Sequence, residues 1–366
     1  MSVTAVVVNY NTWSLVQRLV LDVVQDPTVG RVVVVDNSPE VTGSSRNELP
    51  EGVLYRSNAH NVGFAAAVNQ GVDWATTRYV ALINPDVRPD PHCFRRLYET
   101  AVQYEAALVG PRFYWDEART FRLPPATGGC RWWNAAVSWA RSHELDARTL
   151  QWYWTARHDQ FWAQQNPFAE IFLSGALMLI DRQALALPDG KILDERFFLY
   201  YEDTDLCARA LLAGLPIVCD PRAEAVHYWN QSPASEERKG RLMSASHESF
   251  LQKFYGPAFG QERVEKAVAP GFVDARLLPV DLGTLSGPPT FPVPPHAMGD
   301  GLSLEFALSS LFIPFAQATV TVPKAMFPRD VWKRLAPRTY YCRLRGRTVG
   351  TVGLWKWTKA DTARRT

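Results

Sequence analysis

Residues 4–8 form a β-branched run with no apolar–polar alternation, closed by Asn9-Tyr10-Asn11, and apolar positions then recur with helical spacing over about 13–24. A second apolar run, 31–35, ends in Asp36-Asn37-Ser38. Strand, helix and strand at this spacing predict a βαβ unit with parallel, buried strands, because unalternating apolar runs are what a sheet covered on both faces requires. Residues 53–56 predict a third strand, 64–75 a helix, and 79–83 a fourth buried strand that ends in Asn84-Pro85-Asp86. A helix over 89–104, a strand at 108–111, an apolar run over 171–180 broken by Ser174-Gly175, a helix from about 205, a strand at 216–219 and a helix over 243–255 complete an α/β pattern. The expected fold class is α/β, a mostly parallel sheet flanked by helices.

Two regions depart from that pattern. From 112 to 166 regularity weakens and aromatic residues crowd in, among them Trp115, Trp132, Trp139, Trp152 and Trp162. Flat aromatic faces stack on sugars and Trp also sits at membrane interfaces, so this insert is read either as an acceptor-side surface or as the core of a helical hairpin. Residues 266–300 are rich in Pro and Gly and read as a linker, and 301–366 alternate in strand fashion as a small β-rich module. The expected division is therefore a domain over 1–265, a linker and an accessory domain. Within the last, Trp355 and Trp357 share one strand face, read either as glycan-contacting or as core.

In open α/β sheets ligands sit beyond the carboxyl ends of the strands. Asn9, Asn11, Asp36, Asn84 and Asp86 fall there, and Asn61, Gly63 and Asn69 bracket a small-residue helix start, 61–71. Asp86, in a Pro-fixed turn, is of the oxygen type that hard divalent cations prefer, and His227, at the end of the strand run 225–229, is a candidate imidazole ligand. In the stretch 197–209 a wall of aromatics precedes Glu202, Asp203 and Asp205; partial desolvation there raises a carboxyl pKa and suits it to take a proton near neutral pH. The alternative makes Asp203 the helix N-cap and Asp205 with Arg209 an exposed i,i+4 pair.

A formal net charge of +2, with no run of five like charges, argues against a nucleic-acid partner. Cys93, Cys130, Cys207, Cys219 and Cys342 are widely spaced and never paired as CxxC, the usage of reduced thiols in a cytosolic protein. The first residues lack a basic leader, and no apolar stretch reaches membrane-spanning length, so the expected location is cytoplasmic, with peripheral association at the inner face of the membrane and a homodimer left open. Neither GxGxxG after the first strand nor GxxxxGK[ST] is present, which removes the main support for dinucleotide and P-loop readings.

In order, 7–11, 35–38, 61–71, Asn84-Pro85-Asp86, Leu173-Ser174-Gly175-Ala176, 194–206 and Val226-His227 resemble the inverting glycosyltransferases of family 2, of GT-A fold, and within them the rhamnosyltransferase-like members. The resemblance implies a nucleotide diphosphate sugar donor (a dTDP- or UDP-sugar), a saccharide or lipid-linked acceptor, and a role in cell wall or polysaccharide biosynthesis. It implies that Asn9, Asn11, Asp36, Asn61, Gly63, Asn69 and Asn84 surround the donor, and that Asp86, helped by His227, holds Mg2+ or Mn2+. Asp203 is then the base, with Glu202 second, and Ser174, Gly175, Asp205 and Arg209 lie on the acceptor side. Two positions depart from the family pattern: Asn84 stands where many relatives have an acid, and Tyr228-Trp229-Asn230-Gln231-Ser232 lacks the glycine that many have before the serine. The competing functions are a non-catalytic nucleotide-sugar or glycan-binding protein on the same fold, and a sugar nucleotidyltransferase.

Overall fold

A computed structural model describes residues 2–38, 49–231, 235–256 and 279–361. In chain order the elements are β1 (Val3–Asn9), α1 (Trp13–Val23), β2 (Val29–Asp36), β3 (Leu54–Ser57), α2 (Phe64–Val72), β4 (Tyr79–Ile83), β5 (Val87–Pro89), α3 (Cys93–Gln103), β6 (Leu108–Tyr114), β7 (Phe121–Arg122), α4 (Arg131–Ser142) and α5 (Glu144–Ala163). They continue as β8 (Phe168–Ala169), β9 (Leu177–Asp181), α6 (Arg182–Leu185), α7 (Glu202–Leu212), β10 (Ile217–His227), α8 (Glu236–Tyr255), β11 (Val280–Leu285), β12 (Thr290–Pro292), β13 (Ser303–Ala307), β14 (Phe315–Thr319), β15 (Lys324–Met326), α9 (Arg329–Arg334), β16 (Thr339–Gly346) and β17 (Gly350–Lys359).

The contacts divide the chain into two units. The first comprises 1–112, 125–131 and 164–263. Its β3, β2, β1 and β4 lie side by side and parallel, and β9 then pairs antiparallel with β4, and β6 with β9. Every residue of β1, β4 and β9 is buried, as the unalternating runs predict. Helix α2 packs on this sheet through Ala65, Ala67 and Val68, so its small residues serve close helix–sheet approach. The register sets Asn9 beside Asp36 and Val7 beside Ile83, which brings the polar ends of β1 and β2 and the Asn84-Pro85-Asp86 turn after β4 to one edge.

The second unit comprises 113–124, 132–163 and 264–366. Its sheet runs β11-β17-β16-β13-β14-β7, with β12 and β15 paired separately. The core gathers Trp115, Phe121, Phe306, Phe327, Tyr340 and Trp357, with ring centroids of Tyr340 and Trp357 4.9 Å apart. Trp355 and Trp357 are both buried, so their shared strand face is the core face and the glycan-contact reading of it is set aside. Most of the aromatic insert clusters with this unit, not with the first: Trp154 packs with Phe312 and Phe315, and Ala140 and Leu150 with Leu311.

The expected linker is likewise redrawn. Residues 266–278 lie outside the described residues, but 280–292 contribute β11, paired with β17, and β12, which buries Phe291 against Trp355 at 4.8 Å. Prolines at strand edges cost no ladder bond, so a Pro-rich stretch can still pair.

Candidate active site

At the carboxyl ends of β1 and β2, Asn9 donates to Asp36 Oδ1 at 2.9 Å and to Ser38 Oγ at 3.1 Å, and its carbonyl oxygen accepts from the Thr12 N–H and hydroxyl, both at 3.0 Å. Asp36 also accepts from the Ser38 N–H at 2.9 Å and the Tyr55 hydroxyl at 3.1 Å. Burial, then the Asp36 charge, push the Tyr55 phenol up to about 12, which keeps it a donor. Asn37 reaches across to α2, donating to the Gly63 carbonyl at 3.0 Å and accepting from Asn58 at 2.8 Å.

The acid-bearing loop is held against that helix start. Phe64 N–H donates to the Phe198 carbonyl at 2.7 Å. Gly63 sits at φ +94, and a Cβ there would lie 2.9 Å from the Phe198 ring and 3.0 Å from its carbonyl, so both the conformation and the contact require glycine. Tyr200 and Tyr201 are left-handed at φ 70 and 68, a conformation costing about 1–3 kcal/mol per residue. The loop is kept there by Ser246 Oγ donating to the Leu199 carbonyl at 2.8 Å and by Tyr201 stacked on His247. Tyr201, not Asp203, precedes the first turn of α7, which removes the N-cap reading of Asp203.

Asp203 Oδ2 accepts from the Gly175 N–H at 2.9 Å and Oδ1 from the Thr204 N–H at 2.7 Å. A Cβ on Gly175 would stand 3.0 Å from Asp203 Cβ, so the break in the apolar run before β9 makes room for the carboxylate. Burial raises the Asp203 pKa, and these hydrogen bonds oppose the rise. Burial, reinforced by the Asp203 charge, pushes the adjacent Glu202 up to about 8, and its Oε2 has no partner among the described residues. Two neighbouring acids are thus separated in role: Asp203 is hydrogen-bonded as an acceptor, while Glu202 keeps its proton near neutral pH.

The third group forms where β5 pairs with the end of β10, His227 opposite Val87. This sets His227 Nε2 3.6 Å from Asp86 Oδ2, and the Tyr228 N–H donates to the Asp86 carbonyl at 2.9 Å. Burial would raise the Asp86 carboxyl, but the attraction of His227, together with backbone N–H donors, holds the group below its ordinary value. Asn84 Oδ1 is buried with no partner among the described residues. A carboxylate, an imidazole and a spare amide oxygen in one wall fit a hard divalent cation that completes its shell with ligand oxygens. Among the described residues no three His, Cys, Asp or Glu converge for metal binding.

These walls enclose a cleft of about 400 Å³. Of the residues singled out from sequence, Asn61, Asn84, Asp86, Ser174, Gly175, Glu202, Asp203 and His227 line it. Asn9, Asn11, Asp36 and Gly63 do not; the first three belong to the network that shapes the strand ends, Asn11 through its N–H to Ser38 Oγ at 2.9 Å.

Asn69 is withdrawn from the donor side: its carbonyl oxygen accepts from the Ile192 and Leu193 N–H groups at 3.2 and 3.0 Å and its amide donates to the Leu193 carbonyl at 2.9 Å, all inside the protein. Asp205 and Arg209 are withdrawn from the acceptor side, since Asp205 is fully buried between Arg209, at 2.9 Å, and Lys253. The pair is neither an acceptor contact nor exposed. Tyr10, Thr12, Phe198, Trp229 and Arg238 also line the cleft. Arg238 is the one Lys or Arg among its lining residues, exposed on α8. Its sequence neighbourhood, Glu-Glu-Arg-Lys, reads as a solvated helix start and gave no signal.

Residues 4–173, which hold the parallel strands, match the model of glycosyl transferase family 2. Glu202, Asp203 and His227 lie beyond the matched span. Over 215 residues the chain is 26% identical to N-acetylglucosaminyl-diphospho-decaprenol L-rhamnosyltransferase of Mycobacterium tuberculosis, in strains CDC 1551 / Oshkosh and ATCC 25618 / H37Rv, a match spanning 54% of this chain and 66% of that protein, just under two thirds of its length.

Similar solved structures include a mannosyltransferase from Pyrobaculum calidifontis in complex with GDP-Man and Mn2+ (14% identity, TM-score 0.45, 69% of this chain and 64% of that one). Another is GalNAc-T7 with UDP, GalNAc and Mn2+ (13% identity, TM-score 0.48, 69% and 48%).

Replacing Asn69 by Ala strips the Ile192 and Leu193 N–H groups of their acceptor and should lower unfolding stability by about 2 kcal/mol or more in urea titrations. Unchanged stability with weakened nucleotide binding would return Asn69 to the donor site. For Glu202, the unfolded chain releases its proton near 4.5 and the fold only near 8, so the unfolded state binds fewer protons across that window and stability falls as pH rises through it. Glu202→Gln should remove that fall, so between pH 5 and pH 8 the variant should lose about 3 kcal/mol less stability than the parent. Parallel stability curves for the two proteins would contradict the buried, protonated acid.

Proposed function

We propose that the protein is an inverting glycosyltransferase that moves a rhamnose-like deoxyhexose or a hexose from a dTDP- or UDP-sugar to a saccharide or lipid-linked acceptor. The observation that carries this reading is that a carboxylate fixed by backbone N–H donors, Asp203, and the Asp86–His227 pair line one cleft. Asp203 takes the proton of the acceptor hydroxyl as its oxygen attacks the anomeric carbon. The bond from that carbon to the diphosphate oxygen breaks, and its electron pair leaves with the diphosphate; one displacement gives one inversion.

The Gly175 and Thr204 N–H donors hold Asp203 in the orientation that the transfer needs and favour its ionised form. Glu202, protonated near neutrality, serves as a hydrogen-bond donor at the cleft wall and not as the base. Asp86 and His227 would hold Mg2+ or Mn2+, with Asn84 Oδ1 beside them; when bound, such a cation neutralises charge on the departing diphosphate. Because Asn84 contributes no charge, Arg238 at the cleft wall carries part of that load as a direct cation toward the diphosphate. The lipid-linked form of the acceptor is favoured by the name of the mycobacterial relative.

Asp203→Asn should lower turnover by roughly 10²–10⁴ while nucleoside diphosphate affinity stays within about twofold. Arg238→Ala should weaken nucleoside diphosphate binding roughly tenfold, the loss of one charge-assisted contact. Turnover of the Asp203 variant near that of the parent, measured as sugar transfer or donor hydrolysis, would remove Asp203 as the base.

A further inference from the structure

Helices α4 and α5 turn large apolar side chains to solvent that their own core does not need. Trp132 is 60% exposed, Trp139 59% and Trp152 73%, with Leu145 at 75% and Tyr153 at 46%. Trp132 and Trp139 are seven residues apart, about two turns, so they share one face of α4, and Leu145 and Trp152 share one face of α5 in the same way. The inward sides are separately satisfied, α4 through Ala140 with Trp133, Ala136 and Val137, and α5 through Ala147, Leu150 and Trp154. Outward tryptophans in this number are not core residues left over.

Charge completes the pattern. Helix α4 carries Arg131 and Arg141 and no acid, and Arg141 is exposed with no ion-pair partner among the described residues. On α5, Glu144 is taken up by Arg148 at 2.9 Å and Asp146 lies 3.7 Å from His143. Indole rings with arginine and little uncompensated acid are suited to the headgroup region of a bilayer, where the ring packs at the acyl boundary and the guanidinium meets lipid phosphate. Among the described residues no helix is long and apolar enough to cross a membrane, so attachment through this surface is interfacial.

We propose that the outward face of α4 and α5, centred on Trp132, Trp139 and Trp152, docks the protein onto an anionic bilayer surface. The choice of a bilayer over a protein partner rests on the reading that the acceptor is lipid-linked: such an acceptor presents its diphosphate and sugar at the headgroup level, and an enzyme held there meets it in two dimensions.

The test is co-sedimentation of the full chain with vesicles of phosphatidylcholine containing 30% phosphatidylglycerol or of phosphatidylcholine alone, with nucleoside diphosphate binding measured on the same preparations. The parent should bind the anionic vesicles with a blue shift of tryptophan emission. The triple variant Trp132→Ser, Trp139→Ser, Trp152→Ser should bind at least tenfold more weakly with its circular dichroism and nucleotide binding unchanged, and Arg141→Glu should weaken binding severalfold. Equal sedimentation of parent and triple variant, or no vesicle binding by the parent, overturns the proposal. So does a tryptophan-dependent dimer in lipid-free solution that binds no vesicles, since a second copy would then cover the face. Nucleotide binding without vesicle binding sinks this proposal alone, whereas vesicle binding lost in the triple variant supports it even if no nucleotide binds and the donor-site reading fails.

Discussion

Phe64 N–H, donated to the Phe198 carbonyl at 2.7 Å, ties the start of α2 to the loop that delivers both acids to the cleft. Much of the site depends on that tie. At the other end of the same helix Asn69 holds the backbone at 192–193, so the segment between β9 and α7 is pinned to α2 twice, and Asn37 secures the helix start itself through the Gly63 carbonyl. With the loop fixed at both ends, two successive left-handed tyrosines are tolerated, and the chain enters α7 at an angle that sets Glu202 inward and Asp203 against Gly175. At Gly63 and at Gly175 any side chain would push these pieces apart.

The cleft that results is rich in acid for a site that is to receive a diphosphate. Asp86, Glu202 and Asp203 all line it, against His227 and a single arginine. The environment reduces the conflict in two ways. Glu202 is kept neutral by burial and by its neighbour, and Asp86 is paired with an imidazole, which sets Asp203 apart as the carboxylate to which the proposed mechanism assigns the proton transfer. In the proposed mechanism the partial ligand set around Asp86 and the cation of Arg238 share the task of meeting the anionic leaving group, so that a wall with asparagine at position 84 can still serve it.

The strands were legible because a buried parallel sheet demands unbroken apolar runs, and those runs end at the polar residues that shape the site. That Asp86, Asp203 and His227 stand at strand or loop ends was legible as residue type and position, and all three line the cleft. What was not legible was direction. Asn69 and Asp205 look like ligands in sequence, but their partners lie far along the chain, Leu193 for one and Lys253 for the other, and those partners turn them into braces. Arg238 was hidden for the opposite reason, since only the fold brings α8 beside the ends of β1 and β4. In the second unit, strand alternation predicted a β module, but prolines concealed β11 and β12. Helix α5 carries apolar residues on several sides, Leu145 and Trp152 outward and Leu150 and Trp154 inward, so its periodicity did not say which were core.

The central claim is that this cleft binds a nucleoside diphosphate through a divalent cation at Asp86 and His227. Calorimetric titration of the purified protein with UDP, dTDP and GDP, each with and without Mn2+, tests it most directly. The account predicts that one uridine or thymidine diphosphate binds with an affinity that rises at least tenfold when Mn2+ is present. Binding of none of them in either condition, or binding indifferent to the metal, would contradict it.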